Sequence, residues 1–268
     1  LMVIHVLGHP ADMDEIQDIC VENNLIMIED CCESLGAYYK KKHVGTFGTF
    51  GTFSFFFSHH ISTIEGGMII LDDSSKYNEL LSMRAHGWSR LRLDEKDWLS
   101  KNSHLDPRFM FLTTGYNFRP TEFQGALGRI QLRRLEEFVE RRRQLADLVN
   151  KFLLQHLPWL KLLGGDMLEK NNTIYHSFMC LPFIVTDAAP IKKDYFCRHL
   201  EDHGIDTRPL IAGNILKHPM KRYLKSDQEP CINADKILDN GFMIGCHPYI
   251  KDESWSAFTK AIQNAKKF

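Results

Sequence analysis

The stretch GTFSFFFSHHISTIEGG, Gly51 to Gly67, decides how the rest of the chain is read. An aromatic run is uncommon in an exposed loop. Phe53, Phe55, Phe56 and Phe57 therefore predict a buried strand. His59 and His60 follow at once, then Ser62 and Thr63, the acid Glu65, and the pair Gly66 and Gly67. A buried strand that ends in polar, proton-handling side chains is where open α/β sheets place their ligands. The stretch is therefore a candidate site.

Upstream, Val3 to Val6 predicts a short strand bounded by Gly8 and Pro10. Asp12 then predicts a helix cap, with Ile16, Ile19 and Cys20 on one face and Asn23 and Asn24 at the end. Leu25 to Ile28 predicts a second buried strand that finishes at Glu29 and Asp30. Strand, helix, strand is the rhythm of a parallel α/β sheet, whose buried strands read as continuous apolar runs. Asp30 thus sits at the carboxyl end of a buried strand. It either caps a following helix or aims its carboxylate at a ligand in the crevice. Cys31 and Cys32 read as small buried fillers. The GTFGTFG run, Gly45 to Gly51, is only loosely like a phosphate-cradling loop and fits neither established spacing.

Downstream, Met68 to Leu71 predicts a strand, and Ser75 the start of a helix with Leu80, Leu81 and Met83 on its apolar face. The RAHGWSR run, residues 84–90, leads into an irregular polar stretch, 91–114, with Trp98, Phe109 and Phe111 as anchors. Thr121 predicts the cap of one long helix from Glu122 to Gln155. Its RRLEEFVERRR segment reads as a solvated face laced with i,i+4 pairs. After Pro158 the texture changes. A strand over His176–Val185 and helices over Ile191–His203, Cys231–Leu238 and Glu253–Lys266 predict a smaller α+β domain.

Composition narrows the function classes. The chain has 268 residues, with Lys plus Arg 33 against Asp plus Glu 34 and a net charge of −1. No global basic field argues for nucleic acid or an anionic membrane, and no apolar run approaches the roughly 20 residues of a spanning helix. The start, LMVIHVLGHP, has no basic n-region and reads as a core strand rather than a signal peptide. The seven cysteines, at 20, 31, 32, 180, 197, 231 and 246, form no CxxC pair. Free thiols in a reducing cytoplasm fit that pattern, and no metal site is expected.

The pieces GHPADMDEI, IEDCCESLGA, VGTFGTFGTFSFFFSHH, EGGM, RAHG, GYNFRPTEFQGALG and GIDTRPL occur in this order. Together they resemble the DegT/DnrJ/EryC1/StrS family of sugar aminotransferases and dehydratases across essentially the whole chain. The resemblance implies an α/β fold of the fold type I class, dependent on pyridoxal phosphate. A mostly parallel sheet belongs to a large domain (1–140, its N-terminal part missing), and a small C-terminal α+β domain (141–268) follows. Members begin well upstream of Val3. The chain is therefore expected to be a piece of a longer enzyme, with weak cofactor binding and no activity in this form.

The same resemblance implies roles. Asp30 pairs with the pyridine nitrogen, which keeps the ring an electron sink. Glu33 falls near the cofactor's phenolic oxygen, and Ser54 contacts its phosphate. Asn117 and Arg119 are the pair that one subunit of a homodimer lends to its partner's active site; Arg beside phosphate makes charge-assisted bonds. Aminotransferases of the family carry, five residues after the serine, the lysine that bonds covalently to the cofactor. Here that position is His59, which cannot form this link but can serve as a general base. This replacement resembles the family's 3-dehydratases. The iron–sulfur branch is disfavoured because residues 91–114 contain no cysteine. The implied reaction removes the C3 hydroxyl of a nucleotide-linked 4-keto-6-deoxyhexose, in deoxysugar and lipopolysaccharide synthesis. It uses pyridoxamine phosphate regenerated with glutamate. A nucleotide-sugar aminotransferase and a non-catalytic relative are the alternatives. His60 reads as a structural neighbour and Glu65 as a loop acid. His86 touches substrate or caps a helix. Arg208 and Asn214 approach the sugar or nucleotide, or stabilise a turn.

Overall fold

The computed structural model describes residues 1–168, 173–224 and 230–267. The elements in chain order are β1 Met2–Ile4, α1 Met13–Glu22, β2 Ile28–Asp30, β3 Tyr38–Tyr39, β4 Lys42–His43, β5 Phe50–Ser54, β6 Gly67–Ile70, α2 Ser74–Arg84, α3 Glu95–Lys101, α4 Glu122–Leu132 and α5 Leu135–His156. There follow β7 Leu160–Leu162, β8 Ile174–Tyr175, β9 Cys180–Val185, α6 Lys193–Asp202, β10 Arg208–Pro209, α7 Ile232–Asn240, β11 Gly241–Gly245 and α8 Asp252–Ala265. They form two compact units. One comprises Leu1–Ile4, Asp14–Cys32 and Gly45–Arg133; the other comprises His5–Met13, Glu33–Val44 and Arg134–Phe268. The units interleave in sequence, so they do not follow a single cut at residue 140.

The first unit is built on the sheet β1-β2-β5-β6. β1, β2 and β5 run parallel, and β6 returns antiparallel to β5. The α/β reading holds, with shorter strands than the apolar runs suggested. Leu25 and Ile26 are exposed and precede β2, which begins at Ile28. The aromatic strand stops at Ser54. Phe53 is buried, Phe55 and Phe56 are half-buried, and Phe57 lies 68% exposed in the turn beyond. Phe55 to Phe57 lie beyond the strand, so the sheet does not cover them.

The helices bring further corrections. α2 begins at Ser74, one residue before the expected start, and is capped by Asp73, whose Oδ1 accepts from the amides of Ser75 and Lys76. Its buried residues are polar: Asn78 accepts from the Leu93 amide, and Ser82 donates to the Trp88 carbonyl. The run 91–114 contains α3, and its buried residue is Met110, whereas Trp98, Phe109 and Phe111 are exposed. Thr121 caps α4 in a reciprocal box with Gln124. The single long helix is broken at Arg133–Arg134 into α4 and α5.

The second unit packs α5, α6 and α8 around the antiparallel sheet β10-β11-β9-β7. Its core holds Leu153, Phe183, Phe196, Phe242 and Ile262. β11, in the interior of this sheet, lies in a run, GFMIG, that carried no sequence signal; β7 likewise. The expected strand over 176–185 is shorter: β9 starts only at Cys180, and β8, which precedes the expected span, pairs with β3. Arg142, in the supposedly solvated segment, is buried. Its Nη1 donates to the carbonyls of Phe178, Met179 and Cys246. Glu137 does pair with Arg141 at i,i+4 on the exposed side of α5.

Candidate active site

The first unit gathers six of the expected site residues. Asp30 ends β2 and is the Cα partner of Thr52 on β5, in a parallel register. Ser54 lies two residues beyond Thr52, on the same face of the sheet at the same carboxyl edge. One Asp30 oxygen, Oδ1, accepts from the Cys32 amide at 3.0 Å. No helix follows, so the capping alternative reduces to a local turn. Oδ2 accepts nothing from the described residues. The Ser54 Oγ accepts from the Phe56 amide at 3.3 Å, which leaves its hydrogen to donate.

His59 lies in the turn after β5, with its amide on the Phe56 carbonyl and its ring 6.0 Å, edge-on, from that of Phe56. Its Nδ1 is buried and has no hydrogen-bond partner among the described residues. His60 is buried. Thr63 donates to the Glu65 carbonyl, and Gln124 reaches the same carbonyl. The Glu65 backbone thus closes the loop.

The segments RAHG and GYNFRP lie side by side. Tyr116 and Phe118 donate backbone N–H groups to the carbonyls of Met83 and Arg84, and His86 donates to the Tyr116 carbonyl. Ala85 and Asn117 form an isolated β-bridge. Arg119 Nε donates to Asn117 Oδ1 at 3.2 Å, and both residues are exposed. The C-cap of α2 is Ala85; His86 follows it in the left-handed region (φ 61°), its ring against Trp88.

The second unit holds the remaining three. Glu33 Oε2 accepts the Leu7 amide at 2.8 Å. Leu7 is held at φ 57°, its carbonyl takes the Met179 amide, and the neighbouring Gly8 amide goes to Ser34 Oγ. Arg208 is exposed on β10. Asn214 is buried; it accepts from the Leu216 amide and donates to Asp235 at 2.7 Å. These two bonds fit a turn-stabilising role and leave one amide N–H without a partner among the described residues.

One feature escaped the sequence. Glu29 is fully buried, and its carboxylate fills the amide cradle of the GTFG loop. Gly45 donates to Oε2 at 2.6 Å, and Phe47 and Gly48 each donate to Oε1 at 2.7 Å. The spacing of a glycine loop gives no sign that a side chain of the same chain occupies it. All seven cysteines are free thiols; Cys31 is buried as expected, Cys32 is half-buried and Cys231 is exposed. Burial, then the charges of Glu29 and Asp30, push the Cys31 thiol well above its ordinary range. Among the described residues no helix is long and apolar enough to cross a membrane.

Comparisons with known proteins agree on one family. The model of the DegT/DnrJ/EryC1/StrS aminotransferase family matches residues 1–263. The GDP-4-keto-6-deoxy-D-mannose 3-dehydratase of Yersinia pseudotuberculosis is 35% identical over 252 residues, covering 92% of this chain and 62% of the relative. The Escherichia coli GDP-4-keto-6-deoxy-D-mannose-3-dehydratase with bound hydrated PLP superposes with a TM-score of 0.81 at 33% identity, covering 97% of this chain and 66% of that one. A GDP-4-keto-6-deoxymannose-3-dehydratase with a trapped PLP-glutamate geminal diamine gives a TM-score of 0.81 at 32% identity, covering 99% and 66%. The chain thus spans a little under two thirds of the curated relative's length.

Proposed function

Because the chain belongs to the DegT/DnrJ/EryC1/StrS aminotransferase family, we propose that it carries the catalytic residues of a pyridoxal phosphate-dependent nucleotide-sugar 3-dehydratase. The substrate is a nucleotide-linked 4-keto-6-deoxyhexose, GDP-linked by similarity to its relatives. The product is a 3-deoxy sugar of the kind used in lipopolysaccharide. Glutamate is the amino donor, and the working form is a cytoplasmic homodimer in which Asn117 and Arg119 serve the partner's site.

The observation that carries this reading is His59. It stands five residues after Ser54, where a covalent link to the cofactor would need a primary amine. The buried Nδ1 leaves Nε2 as the nitrogen that reaches a substrate. The neighbouring groups fit the cofactor. Asp30 has one carboxylate oxygen without a partner among the described residues, suited to a pyridinium N–H. Ser54 has a hydroxyl hydrogen to give to a phosphate oxygen. When bound, pyridoxamine phosphate supplies the amine that condenses with the C4 ketone and a ring that takes up an electron pair. His59 Nε2 removes a proton and returns it to the departing C3 hydroxyl, which leaves as water. Asp30 holds the ring nitrogen protonated throughout. By the family resemblance, Glu33 would serve the phenolic oxygen, and His86, Arg208 and Asn214 would serve the sugar nucleotide.

The test is to incubate the protein with pyridoxal phosphate, glutamate and GDP-4-keto-6-deoxymannose. Ammonia release and the product mass are then measured. Loss of the C3 oxygen with ammonia release supports dehydration. An aminated sugar that keeps its C3 hydroxyl would identify an aminotransferase instead. No spectral change on adding glutamate to the protein with pyridoxal phosphate would identify a non-catalytic relative.

A further inference from the structure

Glu29 and Asp30 are consecutive residues of β2, so their side chains leave opposite faces of the sheet. Asp30 faces the candidate site. Glu29 faces the other way, in full burial, where it takes three backbone N–H groups at 2.6 and 2.7 Å.

The loop it holds leads directly into β5. Gly45 has φ 88°, and a Cβ there would lie 2.6 Å from the Phe53 ring. A Cβ on Gly48 would lie 2.6 Å from the Met27 carbonyl oxygen, and one on Gly51 would strike the Gly45 carbonyl. The loop is thus laid flat against the backbones of β2 and β5, at positions only glycine allows. Its last residues pair with β2 in register: Phe50 with Ile28, Gly51 with Glu29, Thr52 with Asp30. Thr52 Oγ1 also donates to the Glu29 carbonyl at 3.2 Å. The relative placement of Asp30, Ser54 and the turn that carries His59 therefore depends on where this loop delivers β5.

We propose that Glu29 is a positioning residue of the cofactor site: by clamping the amides of Gly45, Phe47 and Gly48 from beneath, it fixes the β2–β5 register that pairs Asp30 with Thr52 and places Ser54 at the same sheet edge. The inference rests on the cofactor reading above and adds a residue to it. The substitution Glu29→Gln keeps the volume and isolates the chemistry. A carboxamide oxygen can still serve the Phe47 and Gly48 amides, but its NH2 then meets the Gly45 N–H, donor against donor. A buried donor left unpaired is costly, and the loop must shift.

The test is a cofactor titration followed by absorbance, with Leu153→Ala in the core of the second unit as a control for general destabilisation. Glu29→Gln is expected to weaken pyridoxamine phosphate binding by about tenfold or more, the scale seen when carboxylates that orient metal ligands are removed. The control is expected to keep the parent's affinity. Hydrogen exchange on the unmodified protein needs no variant to fold. Coupling is reciprocal, so saturating cofactor must slow exchange at Gly45, Phe47 and Gly48. A folded Glu29→Gln protein with parental affinity, or exchange at those amides that is indifferent to cofactor, overturns the proposal. A parent protein that binds no cofactor instead removes the functional reading, and this inference with it.

Discussion

Replacing Gly8 by alanine tests how tightly the segment beside Glu33 is fastened. Gly8 sits at φ 98°, and a Cβ there would lie 2.5 Å from the Phe178 amide nitrogen and 2.9 Å from Ser177 Oγ. Both are too close for any real contact, and the first is backbone, which cannot rotate away. A left-handed alanine costs about 1–2 kcal/mol, offset by about 0.4–1 kcal/mol from a stiffer unfolded chain. Relief of the clash must also pull on two bonds, the Gly8 amide to Ser34 Oγ at 3.1 Å and the Ser177 amide to the Gly8 carbonyl at 2.9 Å, each worth about 1 kcal/mol. The expected loss is about 3 kcal/mol. Gly204, in the same unit, has φ 79° but nothing within 4 Å of a Cβ. Gly204→Ala isolates the dihedral term and should cost only about 1 kcal/mol. Urea unfolding of the two variants, compared at equal m-values, measures the difference. Equal losses would refute the claim that close approach, rather than backbone sign alone, demands glycine at position 8.

Three further outcomes are expected. His59→Lys should gain the absorbance of covalently held cofactor and lose 3-dehydration; retained dehydration would remove His59 from the role of base. Burial lowers the His9 pKa below its ordinary 6.5, so the folded state favours the neutral ring. The stability this gives is complete above about pH 6.5 and is lost as pH falls from there to the folded value. Denaturant midpoints should drop over that window and His9→Gln should flatten the drop; a His9→Gln profile identical to the parent's counts against it. Finally, a maleimide should modify the exposed Cys231 first and spare Cys31, Cys180 and Cys246 in the folded protein. Burial pushes these three thiols up, Cys246 to about 12. Prompt loss of any of the three buried thiols at pH 8 would show that the cores open more readily than their packing implies.

How much was legible depends on the range of the interaction that decides each feature. The Thr121 cap, the end of α1 before Asn23 and Asn24, and the helices near 193–202 and 252–265 follow from signals within a few residues, and the structure has them. Strand ends were misread because apolar runs such as Leu25–Met27 and Phe55–Phe57 continue past the hydrogen-bonded ladder. Only a neighbouring strand decides where pairing stops. The break at Arg133–Arg134 lay inside a sequence with unbroken helical periodicity, so nothing local marked it.

The sequence alone determined the family, the α/β class and the identity of the residue at position 59, because ordered motifs and side-chain chemistry are properties of the chain itself. Tertiary structure alone decided which polar groups are spent and which are left for a ligand. Asn214 bonds Leu216 and Asp235, and Glu33 has given one oxygen to Leu7. Asp30 keeps one oxygen, and His59 keeps a buried nitrogen without a partner among the described residues. Hydrogen-bond capacity is allotted by neighbours distant in sequence, such as Glu29 to the Gly45–Gly48 amides. The stretch Gly51–Gly67 could name His59 as a candidate; the register of β5 against β2 put Ser54 and Asp30 at the same sheet edge.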